Sequence, residues 1–181
     1  MNIFVVDESP VVSAQQLCDK HVVKMILESA QMLSTAHRVL DGHPCIKRTP
    51  KGRKVQDWVL DDDREDMIYR AHQPKHPCTI WTRVGSENYK WHCEHAYELC
   101  KEYTRRYDKV HKAEPMIRLF NQNLPNNIEQ KELTPFAQAM PEIYKNEDAV
   151  LAYRSYYINT KARFAKWKNG NVPTWFEEAL V

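Results

Sequence analysis

The chain has 181 residues, of which 43% are hydrophobic and 28% charged, with a formal net charge of +2. This composition indicates one folded domain with a sizeable core, and it excludes a disordered chain and a strongly basic one. No apolar run reaches the length of a membrane span. Five cysteines without a CxxC pair, and the lack of a signal peptide, favour a reduced, cytoplasmic protein.

The first predicted elements are an extended segment and two helices. Asn2–Val6 is a short apolar stretch that we expect to be extended and buried. Ser9 followed by Pro10 is typical of an N-cap and a first helical position. The short helix that begins there leads into, or is continuous with, a long amphipathic helix over Cys18–Leu40, which ends near Asp41 and Gly42.

Residues 42–57 are predicted to form an inserted basic loop. The run Ile46–Val55 carries five cations and no acid, and turn-forming residues surround it. A second acid-free cationic stretch lies at Arg154–Lys168, with the acidic run Asp61–Asp66 between the two. Together they predict either a split basic surface that contacts DNA or two ordinary solvated segments.

The remaining pattern is helical. Further helices are predicted at 62–73, from Ser86 to at least Tyr107, at 113–121 and at 147–168, the last ending at Asn169 and Gly170, with a turn-rich stretch at 123–142. No segment shows strand alternation of useful length. The predicted fold class is therefore all-α: one compact domain over residues 1–181, with about three long and several short helices and a short extended N-terminal segment.

One face of the first long helix carries an unusual polar row. Its members are His21, Lys24, Glu28, Gln31 and Thr35, spaced three or four residues apart. A carboxylate flanked by cationic and proton-carrying groups is typical of an acid–base site. The alternative is a solvated helix face on which Lys24 and Glu28 form an ordinary surface pair.

Cofactor-binding motifs are lacking. Cys18 with His21, and the run His92–His95, are tight Cys/His groupings, and their helix faces need not meet around a metal. There is no glycine-rich phosphate loop, no GxSxG and no HExxH. We therefore expect neither a metal nor a cofactor. Aromatic residues beside cations can stack on bases, although most large aromatics form cores; Trp175 is the expected exception.

Three features together resemble the phage pyrimidine-dimer DNA glycosylase family, known as the endonuclease five family. They are the apolar N-terminal segment, the string Asp19-Lys20-His21 nine residues ahead of Glu28, and the C-terminal run 173–176, Pro-Thr-Trp-Phe. The likeness is close over these segments and loose elsewhere. It implies a compact all-α repair enzyme, encoded by a phage and acting in the cytoplasm of the infected cell.

The resemblance also implies residue roles. Glu28 matches the catalytic Glu that supports glycosidic-bond cleavage and strand scission. His21 matches a His near the DNA backbone, and Trp175 matches an aromatic tail near the lesion. The nucleophile of the family is the amino-terminal α-amine, whose pKa near 7.7–8.0 leaves much of it neutral, whereas a lysine near 10.4 needs strong desolvation.

Two departures from the family concern the nucleophile and the phosphate contacts. Asn2 stands where the family has a small residue exposed by loss of Met, so the amine of Met1 becomes the candidate nucleophile; the alternatives are Lys20, Lys24 or no nucleophile at all. Leu27 and Gln31 stand where the family places two arginines. The cations of Lys47–Lys54 and Arg154–Lys168 are then expected to hold phosphates in place of those arginines.

The leading prediction is a DNA base-excision enzyme, a glycosylase with AP-lyase activity that acts as a monomer on a damaged or modified pyrimidine in double-stranded DNA. One alternative is a nucleotide- or nucleic-acid-binding protein that does not cleave. Another is a helical interaction protein whose polar stripe docks a partner. The predicted catalytic residues are Glu28, Met1 and Lys24, and the predicted DNA-binding residues are Lys20, His21, Gln31, Lys47, Arg48, Arg53, Arg154, Lys161 and Trp175.

Overall fold

The computed structural model describes residues 1–169 and 172–180. In chain order its elements are α1 Pro10–Gln16, α2 Asp19–Asp41, β1 His43–Arg48, β2 Lys54–Val59, α3 Arg64–Met67, α4 Pro77–Thr82, α5 Ser86–Tyr107, α6 Glu114–Gln122, α7 Ala149–Lys161 and α8 Thr174–Glu177. Single 3-10 turns cover Glu142–Tyr144, Ala162–Phe164 and Glu178–Leu180. Among the described helices, none combines the length and apolar character that crossing a bilayer requires.

The first helix begins where the sequence predicted and stops short of α2. Ser9 accepts a hydrogen bond from the backbone N–H of Val12, and Pro10 occupies the first helical position. Leu17 and Cys18 are both extended, so the two helices are separate rather than continuous. The fully buried guanidinium of Arg106 stabilises this break because it donates to the Leu17 carbonyl.

The centre of the fold is α2, which packs against α5, α4 and α6. Its apolar stripe supplies much of the core, together with the inner face of α5. The core residues of these two helices are Val22, Met25, Ile26, Ala30, Met32, Leu33, Ala36, Tyr89, Trp91, Cys93, Ala96, Leu99 and Cys100. Burial on both sides leaves little of α2 exposed, which explains why even polar residues on it are enclosed.

The N-terminal segment is buried without joining a sheet. Ile3, Phe4, Val5 and Val6 are all at most 5% exposed. The backbone N–H of Val6 donates to the hydroxyl of Ser13, so α1 supplies a partner that a neighbouring strand would otherwise provide. Phe4 has a φ of 60°, in the left-handed region that bulky residues rarely adopt. The segment therefore turns sharply next to α2.

The all-α prediction is wrong, because residues 43–59 form a β-hairpin instead of a loop. The two strands are antiparallel, and their register runs from His43 opposite Val59 to Arg48 opposite Lys54. The connection is closed by a hydrogen bond from the Thr49 N–H to the Arg53 carbonyl, 2.9 Å long. The fold is thus a mixed α/β domain, mostly helical, with one two-stranded sheet.

A buried arginine attaches this hairpin to the central helix. Arg38 of α2 donates to the carbonyls of Trp58 at 2.9 Å and Tyr69 at 2.6 Å, and to the Glu65 carboxylate at 2.5 Å. Its side chain is 2% exposed. One guanidinium thus satisfies acceptors from three chain segments, which fixes the hairpin and the stretch after it against α2.

Other element boundaries also differ from the prediction. The helix expected at 62–73 shrinks to α3, because the following residues run extended along α2, where the His72 N–H donates to Thr35. The last long helix ends at Lys161 and not at 168. Its predicted stop, Gly170, lies outside the described residues. Trp175 lies in the short helix α8, not in an irregular tail.

Candidate active site

Glu28 lies between two amines. Its side chain is 11% exposed, and its Oε2 is 3.7 Å from the Met1 α-amine. Its Oε1 is 3.2 Å from Nζ of Lys24, one turn earlier on α2. The backbone N–H of Asn2 donates to Oε2 at 2.9 Å. The carboxylate is therefore held in one position, between a terminal amine and a lysine.

The side chain of Asn2 anchors the amino terminus. Its Oδ1 accepts hydrogen bonds from the Phe4 N–H at 3.2 Å and the Tyr153 hydroxyl at 3.0 Å. Its Nδ2 donates to the Ala139 carbonyl at 2.8 Å. The residue that departs from the resembled family is thus the one that positions Met1. Thr79 adds a further contact, since its hydroxyl lies 3.2 Å from the Met1 sulfur.

These groups border a cavity of about 380 Å³ with a cationic and aromatic lining. The cations are Lys20, Lys24 and Lys161. The lining residues of the cavity are Met1, Asn2, Phe4, Lys20, His21, Lys24, Met25, Glu28, Ala139, Tyr156, Lys161 and Phe164. Six residues that the sequence predicted for the site therefore lie around one space, although they come from the N terminus, α2 and α7.

His21 is a neutral ring in this cavity wall. It stacks on Phe4 with ring centroids 4.2 Å apart, and the edge of Tyr157 packs against it at 5.0 Å. Burial, and then the charges of Lys161 and Lys24, lower the pKa of His21 to about 3. At neutral pH the ring carries no charge, so it cannot attract phosphate as a cation.

Lys161 and Lys20 lie over aromatic rings at the cavity. Nζ of Lys161 is 4.5 Å from the ring centroid of Tyr156 and 3.2 Å from its hydroxyl. Nζ of Lys20 is 5.0 Å from the ring centroid of Phe164. Neither lysine forms a salt bridge among the described residues, so three lysines face one carboxylate and the space beside Glu28 is positively charged overall.

Three predicted site residues lie elsewhere. Arg154 donates to the Val6 carbonyl at 2.8 Å and lies over the ring of Trp175. The indole N–H of Trp175 donates to the side chain of Gln16 at 2.7 Å. Gln31 is on α2, but it does not line the cavity. Trp175 therefore packs behind Tyr157 and does not line the cavity beside Glu28.

The predicted phosphate-binding residues of the segment 42–57 lie in different surroundings in the structure. Lys47 lies 3.4 Å from Asp57 and 3.5 Å from Glu65, so its charge is neutralised locally. Arg48 donates to the Gly52 carbonyl within the hairpin. Arg53 makes no such contact and lines a second groove. None of the three borders the cavity beside Glu28.

Sequence reasoning missed Phe4, Tyr156, Phe164 and His76. The first three line the cavity, and they belong to segments far apart in the chain. His76 lies close enough to the site for its charges to act on the ring. Burial, and then the charge of the Met1 amine, lower the pKa of His76, and the charge of Glu28 offsets part of that lowering. No local motif marks these residues. Only the packing of α4 and α7 against the N-terminal segment brings them to Glu28.

The groups beside Glu28 are of the types that amine chemistry uses. Across residues 1–169 and 172–180, no group of three or more His, Cys, Asp or Glu side chains is placed to hold a metal ion. An amine within reach of a carboxylate can attack an electrophilic carbon, while the carboxylate accepts and returns protons.

Comparison of the chain with protein-family models, with curated proteins and with solved structures gave no match.

Proposed function

We propose that this protein is a DNA base-excision enzyme, a glycosylase with AP-lyase activity on a damaged or modified pyrimidine. The observation that supports it is the Met1 α-amine 3.7 Å from the enclosed carboxylate of Glu28, at a cavity edged by Lys20, Lys24 and Lys161. An amine nucleophile, an acid–base group and a cationic rim are the three things that this chemistry needs on a polyanionic substrate.

In the proposed reaction the neutral Met1 amine attacks C1′ of the damaged nucleotide. The glycosidic bond breaks, and the base leaves with the bonding electron pair and a proton. Glu28 takes a proton from the attached nitrogen and returns it to O4′ as the C1′–O4′ bond breaks, which leaves the opened sugar as an iminium ion on the Met1 nitrogen. Loss of a proton from C2′ to Glu28 breaks the C3′–O bond, and water finally releases the sugar fragment from the amine. Every step conserves electrons and needs no redox partner.

The cavity suits a nucleotide removed from the stack. Phe4, Tyr156 and Phe164 offer aromatic surface, and three lysines can contact the neighbouring phosphates. Base extrusion costs least at a damaged base, because stacking and pairing are already weakened there. The substrate is therefore a lesion in a duplex and not a free nucleoside.

The experiment is borohydride trapping of the protein on ultraviolet-irradiated and abasic duplexes. We expect a covalent adduct with the wild type, and none, or at least about a hundredfold less, with Glu28→Gln, which should still bind the duplex. Glu142→Gln is the matched control, because its carboxylate is 83% exposed and does not line the cavity. Absence of both adduct and base release from the wild type would contradict the proposal.

A second candidate is a nucleotide- or nucleic-acid-binding protein that does not cleave. It is supported by the saturation of Glu28, whose two oxygens already contact Met1, Asn2 and Lys24. A carboxylate in that position can serve to hold the terminus instead of moving protons. Stabilisation of the protein by duplex DNA in a thermal melt, without nicking at any lesion, would favour this candidate.

A further inference from the structure

A second groove, of about 830 Å³, lies between the hairpin and the segment 70–76. Its rim carries four cationic side chains, Arg53, Lys54, Arg70 and Lys75, all of them exposed. These residues come from the hairpin on one side and from the extended stretch before α4 on the other. The groove exists only because residues 43–59 are strands and residues 68–76 are not helical.

The charge of this groove is largely uncompensated. Within the described part of the chain, Arg53, Lys54 and Lys75 form no salt bridge, and Nε of Arg70 is 3.7 Å from Asp57. Asp57 is the one carboxylate among the described lining residues, and its side chain is 4% exposed. It accepts from the Trp58 N–H at 2.9 Å and lies 3.4 Å from Lys47. The accessible charge is therefore positive.

The floor of the groove is apolar. Val55, Ala71 and Pro74 lie between the cationic residues. A cationic rim above an apolar floor matches the two chemistries of a nucleic-acid strand, whose phosphates seek cations and whose sugars and bases seek flat apolar surface. An acidic peptide would match only the cationic rim, so the rim and the apolar floor together favour a nucleic-acid strand.

The groove leads directly to the amino terminus. His76 lines it and is the N-cap of α4. Two residues later, Sγ of Cys78 is 3.9 Å from Oδ1 of Asn2, and the next residue, Thr79, contacts the sulfur of Met1. A strand lying in the groove would thus end within one helical turn of the candidate nucleophile.

We propose that this groove is a strand-binding subsite, which holds the phosphodiester backbone flanking the nucleotide whose C1′ reaches Met1. In this subsite the phosphate contacts are made by four side chains, those of Arg53, Lys54, Arg70 and Lys75. The inference rests on the proposed function, because it takes DNA as the substrate. It also changes the hypothesis that the basic loop alone binds phosphates. Lys47 and Arg48 already contact other groups of the protein, and Arg70 and Lys75 of the segment 70–76 take their place.

The first test compares two double variants with equal loss of charge. The probe is a fluorescein-labelled duplex that contains a tetrahydrofuran abasic analogue, which cannot form the iminium. We expect Arg53→Ala with Lys75→Ala to weaken binding at least about tenfold, and to lower the slope of log Kd against log salt by about 2. Lys109→Ala with Lys112→Ala is the control, because both side chains are exposed and line neither cavity, and its slope should change by less than about 1.

The second measurement is phosphate ethylation interference on the same duplex. With the wild type we expect interference at the lesion and on one flanking side. The groove variant should lose the flanking signal and keep that at the lesion, where Lys20, Lys24 and Lys161 act. Because the altered side chains are exposed, thermal melts should match the wild type and exclude misfolding as the cause.

The outcomes separate the two proposals. Equal losses in the groove and control variants, or an unchanged flanking signal, would overturn the subsite while trapping by the wild type still supported the enzyme. Loss of binding in the groove variant alone, with no trapping or base release by the wild type, would support the subsite and contradict the glycosylase. No binding of any duplex by the wild type would overturn both.

Discussion

In the proposed reaction, the position of the Met1 nitrogen decides the chemistry. The Asn2 side chain, hydrogen-bonded to Ala139 and Tyr153, helps to hold the Met1 amine beside Glu28. A small second residue could not make these bonds. The bulk of Asn2, which departs from the resembled family, is thus compatible with an amine nucleophile one residue earlier in the chain.

Moving the amine is the direct test of that arrangement. A Gly-Ser extension before Met1 should abolish borohydride adducts, because the new α-amine is displaced from Oε2 of Glu28 by two residues. Binding to the tetrahydrofuran duplex should stay within about threefold of the wild type, since the lysines of the cavity remain. Intact mass before the assay establishes which residue carries the amine.

Lys24 is the alternative nucleophile, because its Nζ is 3.2 Å from Oε1 of Glu28. Lys24→Met in the unextended chain keeps the Met1 amine and is the matched variant. It should retain the adduct while binding weakens. Adducts that persist in the extended protein and vanish in Lys24→Met would assign the chemistry to the lysine instead.

Among the elements, the hairpin depends on two glycines for different reasons. At Gly52 the backbone has a φ of +79°, and a Cβ would meet nothing within 4 Å. At Gly42, which joins α2 to β1, a Cβ would lie 2.6 Å from the Arg38 carbonyl and 2.9 Å from that of Val59. Glycine is favoured at position 52 because of its backbone conformation, and at position 42 because there is no space for a side chain.

Alanine at each position should therefore have distinct effects. Gly52→Ala should lower the free energy of unfolding by about 1 kcal/mol, because only the left-handed backbone is disfavoured. Gly42→Ala should cost more, about 2–4 kcal/mol, since two backbone carbonyls must move and the hairpin shifts against α2. Urea unfolding of both variants measures the difference, and equal losses would contradict this account of Gly42.

The hairpin also shows where sequence reasoning failed at this scale. The long helices α2 and α5 were predictable, because their apolar residues recur at helical spacing over many turns. The hairpin was not, since its strands are short and mostly exposed, and an exposed Ile46 and a buried Asp57 reverse the usual apolar-inside pattern. Its stability comes from tertiary contacts, above all the bonds from Arg38 to Trp58 and Tyr69, which no local pattern reveals.

The same distinction applies to the candidate site. Lys24 and Glu28 were predictable because they share one helix face. Their meeting with Met1, Lys161 and Tyr156 depends on how the N-terminal segment and α7 pack, and helix periodicity carries no information on that. Trp175 does not line the cavity, and its indole N–H donates to Gln16, which helix periodicity could not indicate either.

For the molecule as a whole, buried histidines tie stability to pH. Burial lowers the pKa of His21, His92 and His95 to about 3, and burial followed by the charge of Arg64 lowers that of His37 to about 4. Below pH 6.5 the unfolded chain binds protons that the folded chain does not. Stability is therefore complete above pH 6.5 and declines as pH falls towards 3 or 4.

We expect this decline to lower the stability of the protein severely in acid. Each such histidine contributes about 1.4 kcal/mol per pH unit, so each costs about 2 kcal/mol at pH 5. The sum over four is comparable with the whole stability of an average domain, about 5–15 kcal/mol. Activity assays at acid pH would then report unfolding and not the titration of the site.

His95→Phe isolates one of these contributions. Neither ring nitrogen of His95 has a hydrogen-bond partner within the described residues, and the ring stacks on Trp91 with centroids 5.2 Å apart. Phenylalanine keeps the stack and removes the buried polar atoms, so we expect the variant to be at least as stable as the wild type at pH 7.5. Between pH 6 and pH 4 its free energy of unfolding should fall less steeply, by about 1.4 kcal/mol per pH unit. Urea titrations across this range measure the slope, and an unchanged slope would mean that the folded protein protonates His95 as readily as the unfolded chain.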